Sequence, residues 1–193
     1  MRLVVDAVTE APSTWGSFRQ GVLATFDELA KDWESRLGPE QLTALSAALQ
    51  RIPAPLRALD VACGTGIAAD LVAGSFPSAA VTALDLSLEM LRAATRKPRP
   101  HSIGFVAGDS STLPFADASF DLVTVLNGLI FANELARVLT PSGVLAVAFS
   151  NGEDTPIYLA SGKLEGVLIK AGFTEVRHGR AGPGTWLSAR KPV

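Results

Sequence analysis

Residues 59–66 read Leu-Asp-Val-Ala-Cys-Gly-Thr-Gly, and this stretch predicts the fold of the chain. The apolar segment 56–61 follows two prolines, and a short apolar run after such a break is typical of a buried strand. The apolar, alanine-rich segment 67–73 behind the glycines favours a helix packed on a sheet. Because glycine lets the backbone turn sharply and lets a ligand come close, the strand, turn and helix together predict a ligand cradle.

Asp60 is the unusual residue of this stretch, because it places an acid at the carboxyl end of the strand. A carboxylate there repels a phosphate and attracts a cation or an ammonium group. The stretch therefore favours a positively charged ligand over a dinucleotide.

The composition indicates one folded domain. The chain has 193 residues, of which 48% are hydrophobic, and its net charge of −2 gives no reason to expect nucleic acid or an anionic membrane as a partner. It has one cysteine, no stretch at the N-terminus that resembles a signal peptide, and no apolar run long enough to span a membrane. We therefore expect a cytoplasmic protein with a single domain over 1–193, in which helices of 1–55 form a preface or lid and 56–193 form an α/β core.

The rest of the chain alternates between strand and helix patterns. Residues 1–14 are expected to be loosely held, and helices are expected over 17–37 and again after Gly38. Further helices are expected over 66–73, 87–96, 129–139 and 161–171. Strands are expected over 56–62, 79–84, 103–107, 120–126, 143–149, 173–178 and 185–189. This alternation predicts a doubly wound, mostly parallel seven-stranded sheet, and the short last connection predicts an antiparallel C-terminal hairpin.

Three further strand ends carry residues suited to one ligand. Asp85 ends the second strand, where a carboxylate can accept hydrogen bonds from the two hydroxyls of a ribose. Gly108, Asp109 and Ser110 follow the third strand, where an acid can accept from the amine of adenine. Asn127 follows the fourth strand, where the reacting end of the ligand would lie. Together these ends predict an adenine, a ribose and a cationic tail without a phosphate.

Four blocks of sequence resemble a known family. They read LDVACGTG, TALDLS, GDSSTLPFADASFDLVTV and ELARVLTPSGVLAVAFS, and they cover about residues 56–150. In this order they resemble the class I S-adenosylmethionine-dependent methyltransferases, with the small-molecule "methyltransferase type 11" group as the most similar variant. The resemblance implies a Rossmann-like fold, S-adenosylmethionine as cofactor, and direct SN2 transfer of a methyl group to a small-molecule acceptor.

The resemblance also implies roles for individual residues. The methionine portion of the cofactor would be held by Asp60, often through water, and by the backbone of Ala62, Cys63, Gly64, Thr65 and Gly66. The ribose would bind Asp85, and the adenine would lie beside Leu86 and Met90, near Gly108, Asp109 and Ser110. Asn127 would lie next to the methionine portion. Trp15 and Phe131 are candidates for lining the acceptor pocket, and no catalytic base is identified.

The chain departs from the family pattern in three places. Ala62 replaces the first glycine of the usual run, and the segments 127–133 and 150–160 are short. The short segments predict a substrate site that is open or completed by a partner, and a homodimer would cover it. They also keep open a module that binds the cofactor and acts through a partner with little or no catalysis.

A nicotinamide-dependent oxidoreductase is the other alternative. Residues 64–69 satisfy a loose G-x-G-x-x-A, and Asp85 lies at a suitable distance for a ribose contact. Against this alternative, Asp60 suits a pyrophosphate poorly, and Tyr158 is followed four residues later by Gly162 instead of a lysine.

The remaining reactive residue types predict ordinary structural roles. Cys63 is expected to be a small packed residue, and the basic run 96–100, which leads to His101, is expected to be a solvated loop. No histidine, cysteine or acid has metal-ligand spacing, so no metal is expected.

Overall fold

The described part of the chain forms one sheet of seven strands in the order β3-β2-β1-β4-β5-β7-β6. The computed structural model describes residues 1–36 and 38–193. The strands are β1 (Arg57–Val61), β2 (Ala80–Asp85), β3 (Ile103–Ala107), β4 (Phe120–Leu126), β5 (Leu139–Phe149), β6 (Thr174–Ala181) and β7 (Gly184–Arg190). Strands β1 to β5 are parallel, whereas β7 runs antiparallel to both β5 and β6. The predicted α/β fold with its C-terminal hairpin is confirmed.

The central strands are mostly apolar and largely buried because helices cover both faces of the sheet. In β1, Leu59 packs into the hydrophobic cluster on one face and Ala58 into the cluster on the other. In β5, Leu145 and Ala146 divide between the same two clusters. Because side chains alternate across a strand, a run that is buried on both faces has no polar period.

Within the described residues, seven α-helices surround the sheet. They are α1 (Arg2–Glu10), α2 (Trp15–Leu29), α3 (Thr43–Leu49), α4 (Ile67–Ser75), α5 (Leu88–Arg96), α6 (Ala132–Val138) and α7 (Ser161–Lys170). Helices α3 and α4 contribute buried side chains to one face of the sheet, and α1, α6 and α7 contribute to the other. No helix in the described residues is both long and apolar enough to cross a bilayer.

Ser87 begins α5 as predicted. Its side-chain oxygen accepts a hydrogen bond from the backbone N–H of Met90 at 3.1 Å, which is the geometry of an N-cap. The cap fixes the start of α5 immediately after Asp85, the last residue of β2.

Three helix predictions need correction. Residues 2–10 form α1 instead of a loose lead-in, because Val5 and Val8 are buried in the core. The helix predicted over 17–37 ends at Leu29, a 3-10 turn follows at 33–36, and Leu37 lies outside the described residues. The helix predicted from 129 begins only at 132, because the three apolar residues before it enter the core without helical structure.

The strand order places β1 between β2 and β4. The chain moves from β1 outward to β3 and then returns to β4 on the other side, so the order reverses between β1 and β4. Ligands in open α/β sheets bind at such a switch point, outside the carboxyl ends of the strands.

Candidate functional site

The glycine turn after β1 is built on left-handed backbone. Ala62, Gly64 and Gly66 have φ angles of 57°, 54° and 88°. Glycine adopts such angles without a steric cost, and Ala62 adopts one where the family pattern has glycine. The turn is closed by a 2.8 Å hydrogen bond from the N–H of Gly66 to the carbonyl of Cys63.

The two glycines of this turn face different neighbours. A Cβ on Gly64 would lie 3.6 Å from Trp33 Nε1 and 4.0 Å from Met90 Sδ, two side chains that line the cavity described next. A Cβ on Gly66 would lie 2.7 Å from Nη2 of Arg99, so this glycine makes room for a side chain of the protein itself. Only Gly64 gives space on the ligand side of the turn.

A cavity of about 500 Å³ lies at the carboxyl edge of the sheet, within the usual size of a small-molecule site. Most of the predicted site residues line it. They are Trp15, Ala62, Cys63, Gly64, Asp85, Leu86, Met90, Gly108, Ser110 and Asn127.

Five predicted site residues lie near the cavity without lining it, namely Asp60, Thr65, Gly66, Asp109 and Phe131. Phe131 packs edge-to-face against Trp15, with the ring centroids 5.8 Å apart. It therefore supports the wall of the cavity from behind instead of forming it.

Asp85 presents its carboxylate to the cavity while holding two backbone amides. One oxygen accepts from the N–H of Gly64 at 2.7 Å and the other from the N–H of Ser87 at 2.8 Å. Burial raises the pKa of Asp85, and the hydrogen bonds from Ser87 and Gly64 act against that rise. Each carboxylate oxygen has lone-pair capacity for a further donor, which suits a diol.

Asp60 lies beneath the turn and is 1% exposed. Its Oδ1 accepts from the hydroxyl of Thr124 on β4 at 2.7 Å, while its Oδ2 has no hydrogen-bond partner. Burial raises the pKa of Asp60 to about 7, against the lowering effect of the Thr124 hydrogen bond. Its direct neighbours are therefore the strands, and its predicted contact with the methionine portion stays a prediction.

Asp109 is held by the N-terminal helix α2. Its carboxylate accepts from Trp15 Nε1 at 3.0 Å and pairs with Nε of Arg19 at 2.7 Å. Although burial acts to raise the pKa of Asp109, the hydrogen bonds from Trp15 and Ser111 outweigh it, and the pKa is lowered. A hydrogen-bond donor on adenine would therefore share the Asp109 carboxylate with Trp15 and Arg19 of α2.

Asn127 joins the ends of β4 and β5. Its side-chain amide donates to Ser150 Oγ at 2.9 Å, and its side-chain oxygen accepts from the N–H of Ser150 at 2.9 Å. The φ angle of 54° at Asn127 is one that asparagine tolerates better than most residues. This pair fixes the wall of the cavity next to the glycine turn.

Sequence reasoning missed much of the wall that α2 and its neighbours form. The missed side chains are mainly apolar or aromatic, and they include Val22, Leu23, Phe26, Leu29, Trp33, Pro156 and Ile157. The apolar spacing of α2 was visible, but a helical period does not tell whether its face covers core or cavity.

The prediction that the basic run 96–100 is a solvated loop needs correction at Arg99. Arg99 is not solvated, since its side chain is 8% exposed and its Nη2 donates to the carbonyl of Thr65 at 2.8 Å.

Cys63 is packed as predicted, and burial raises the pKa of its thiol well above the ordinary value. His101 and His178 do not line the cavity.

The charged side chains of the cavity wall are few. Among the described residues that line it, Asp85 has the only carboxylate side chain and Arg36 the only cationic side chain. No group of three histidine, cysteine or acidic residues in 1–36 and 38–193 is placed to hold a metal ion.

Comparison with known proteins identifies the core. Residues 58–143 match the family model described as "Methyltransferase domain". The match lies within the 56–150 stretch that carries the four sequence blocks, so the predicted resemblance is confirmed at the level of the class I, S-adenosylmethionine-dependent fold.

Two curated relatives and one solved structure are similar to this chain. A demethylmenaquinone methyltransferase of Renibacterium salmoninarum is 46% identical over 99 residues, which are 48% of this chain and 40% of the relative. A malonyl-[acyl-carrier protein] O-methyltransferase of Methylococcus capsulatus is 38% identical over 104 residues, which are 49% of this chain and 37% of the relative. The chain thus spans less than half the length of these curated relatives.

The structural neighbour extends over nearly the whole chain. The Burkholderia thailandensis 1,6-didemethyltoxoflavin-N1-methyltransferase, solved with bound 1,6-didemethyltoxoflavin and S-adenosylhomocysteine, covers 92% of this chain and 90% of its own. The two share a TM-score of 0.74 and 20% identity. At that identity the likeness establishes a shared fold.

Proposed function

The chain carries a class I S-adenosylmethionine-dependent methyltransferase domain, and on that premise we propose that it transfers a methyl group to a small-molecule acceptor. The observation that carries the proposal is the cavity of about 500 Å³, whose wall holds both the glycine turn and the Asp85 carboxylate. A cavity of this size must accommodate cofactor and acceptor together, which favours a small acceptor.

The residues present fit the cofactor. Gly64 opens the turn toward the cavity, and Asp85 presents acceptor oxygens to a ribose. Asp60 keeps a buried oxygen without a partner close to the end of β1, which suits a cationic group in the cradle. We assign the methionine portion to the turn 62–66, with Asp60 acting through water. We assign the ribose to Asp85 and the adenine to the neighbourhood of Asp109.

When bound, S-adenosylmethionine supplies a methyl group that its sulfonium activates for direct in-line displacement. The part left to the protein is alignment and exclusion of water. The apolar side chains of α2, together with Trp15, cover the cavity and serve that purpose. The described lining residues include no histidine or lysine, and their single carboxylate, Asp85, is assigned to the ribose, so the proposed reaction uses no side-chain base.

The wider organisation follows from the same proposal. We take residues 1–55 as the lid and 56–193 as the core of one methyltransferase domain, since Trp15 and Arg19 of α2 bind Asp109 of the core. We propose that the partner is the small-molecule acceptor and that neither nucleic acid nor a membrane is bound. A homodimer is a candidate for covering the acceptor end of the cavity. The single buried thiol accords with a reducing compartment, and we propose the cytoplasm.

A binding module without catalysis is the second candidate. The observation that favours it is the small number of charged side chains on the described cavity wall. It predicts cofactor binding and a stable partner protein, but no turnover. Transfer of a labelled methyl group to any acceptor of a broad small-molecule panel would exclude it.

Binding of S-adenosylhomocysteine tests the main proposal. Calorimetry of the purified chain should show one site, and Asp85→Ala should weaken binding at least about tenfold because it removes a charged acceptor. Asp117→Ala, which alters an exposed carboxylate outside the cavity wall, is the matched control and should bind as the parent does. An absence of heat for the parent chain at millimolar ligand would contradict the proposal.

A further inference from the structure

Arg99 is a buried cation beside the glycine turn. Its Nη2 donates to the carbonyl of Thr65 at 2.8 Å, and its Nε pairs with Asp70 Oδ1 in the first turn of α4 at 2.8 Å. The guanidinium also lies over the ring of Phe105 on β3, 4.9 Å from its centroid. A desolvated charge is retained only where its partners compensate it, and Arg99 has a partner on each side.

The same guanidinium reaches the C-terminal end of α5. Its Nη1 donates to the carbonyls of Ala94 and Lys97, the latter at 3.3 Å. One side chain therefore ties the glycine turn to α4 and to α5. Helix α5 begins at the cap next to Asp85 and carries Met90 into the cavity.

The turn is held by two separate sets of contacts. Strand β2 anchors it, because the N–H of Cys63 donates to the carbonyl of Leu84 at 3.0 Å and the N–H of Gly64 donates to Asp85. Arg99 holds the Thr65 carbonyl and fills the space that a side chain on Gly66 would occupy.

Such a turn needs an external anchor. Glycine adopts many backbone conformations, so a turn with three left-handed residues is not fixed by its own covalent structure. A guanidinium carries five donors in a rigid plane and can hold a carbonyl, a carboxylate and a helix end at once. Lys97 contacts the same Thr65 carbonyl at 3.3 Å, but from a flexible stem.

We propose that Arg99 is a positioning residue for the cofactor. By holding the Thr65 carbonyl from behind, it fixes the glycine turn in the shape that receives the amino-acid end of S-adenosylmethionine. It does not touch the ligand itself. This inference rests on the proposed function, because it assumes that the turn binds that end of the cofactor.

Two ligands separate this role from general stabilisation. S-adenosylhomocysteine has both the adenosyl group and the amino-acid end, whereas 5′-methylthioadenosine keeps the adenosyl group and lacks that end. Calorimetry measures both affinities for the parent chain, for Arg99→Met and for Arg96→Met. Arg96 is exposed, carries the same charge and lies three residues away in the same basic run, so it is the matched control.

Arg99→Met should weaken binding of S-adenosylhomocysteine about tenfold, which is the range of one net hydrogen bond, and leave that of 5′-methylthioadenosine within about threefold. Arg96→Met should change neither. Equal losses for both ligands, or no loss for either, would overturn the inference. If Arg99→Met does not fold, Asp70→Asn removes one anchor of Arg99 and must show the same selective loss at smaller size. Failure of the parent chain to bind S-adenosylhomocysteine would instead overturn the proposed function.

Discussion

Asp60 combines a central position with an unfavourable environment. Its carboxylate is buried between β1 and β4, and only one of its oxygens has a hydrogen-bond partner. Burial raises its pKa to about 7, so the folded chain holds the proton more tightly than the unfolded chain, in which an aspartic acid titrates near its ordinary value. Ionisation of Asp60 is therefore costly in the folded chain.

This environment predicts a stability cost that depends on pH. Between about pH 4 and pH 7 the unfolded chain loses the Asp60 proton first, so the contribution of this group to the free energy of unfolding falls as pH rises. Asp60→Asn cannot ionise, so at pH 8 it should be more stable than the parent by on the order of 1–3 kcal/mol, and at pH 4 the difference should vanish.

Urea unfolding at the two pH values measures the effect, and Asp154→Asn, at an exposed acid, is the control that should show none. Parallel pH profiles of Asp60→Asn and the parent would contradict the account.

Helix α2 is the part of the proposed lid that connects directly to Asp109, where we propose that the adenine lies. Trp15 and Arg19 both bind Asp109, and the hydroxyl of Ser87 donates to Asp27 at 2.5 Å. These contacts join α2 to the loop after β3 and to the cap of α5. Because α2 packs largely partly buried side chains, its attachment depends on these few polar contacts.

Loss of the Asp109 contacts should loosen α2 without unfolding the sheet. Asp109→Asn removes the ion pair with Arg19 and weakens the acceptor for Trp15, at a cost of roughly 1 kcal/mol. Amide hydrogen exchange over 15–29 should then be about fivefold faster, whereas exchange in β4 and β5 should not change. Asp32→Asn breaks an exposed pair with Arg36 and serves as the control. Unchanged exchange in α2, or equally faster exchange throughout the sheet, would count against the lid assignment.

The two hydrophobic clusters give the molecule its stability through the central strands. Leu145 of β5 is fully buried in one of them, between β4 and β7 in the sheet. It pairs in register with Val123 of β4 and with Ala189 of β7, so it lies where the parallel strands meet the C-terminal hairpin.

Leu145→Ala should lower the free energy of unfolding by about 2–5 kcal/mol, because it leaves a cavity in a core that cannot fully collapse. Leu56→Ala removes the same atoms from a side chain that is 75% exposed and should cost within about 0.5 kcal/mol. Urea unfolding followed by tryptophan fluorescence measures both. A similar loss for the two variants would show that burial of Leu145 does not carry the effect.

Local features of the chain were predictable because their causes are local. Strands β3 and β4 have the predicted bounds, since mostly apolar runs between turn residues specify them. Ser87 caps α5 through a contact three residues away. Helix α1 was missed, because a nine-residue helix is marginal alone and is held by its core contacts and by Lys163 of α7.

The sequence alone specified the order of the strands and of the helices from α2 onward, the glycine turn after Asp60 and the acid that ends β2, because each depends on neighbours within a few residues. The folded chain was needed to show that Gly66 makes room for Arg99 and that Asp109 binds α2. It was also needed to show that the face of α2 covers a cavity. These relations join residues about 30 to 95 positions apart, and they depend on atomic distances that composition, period and charge do not contain.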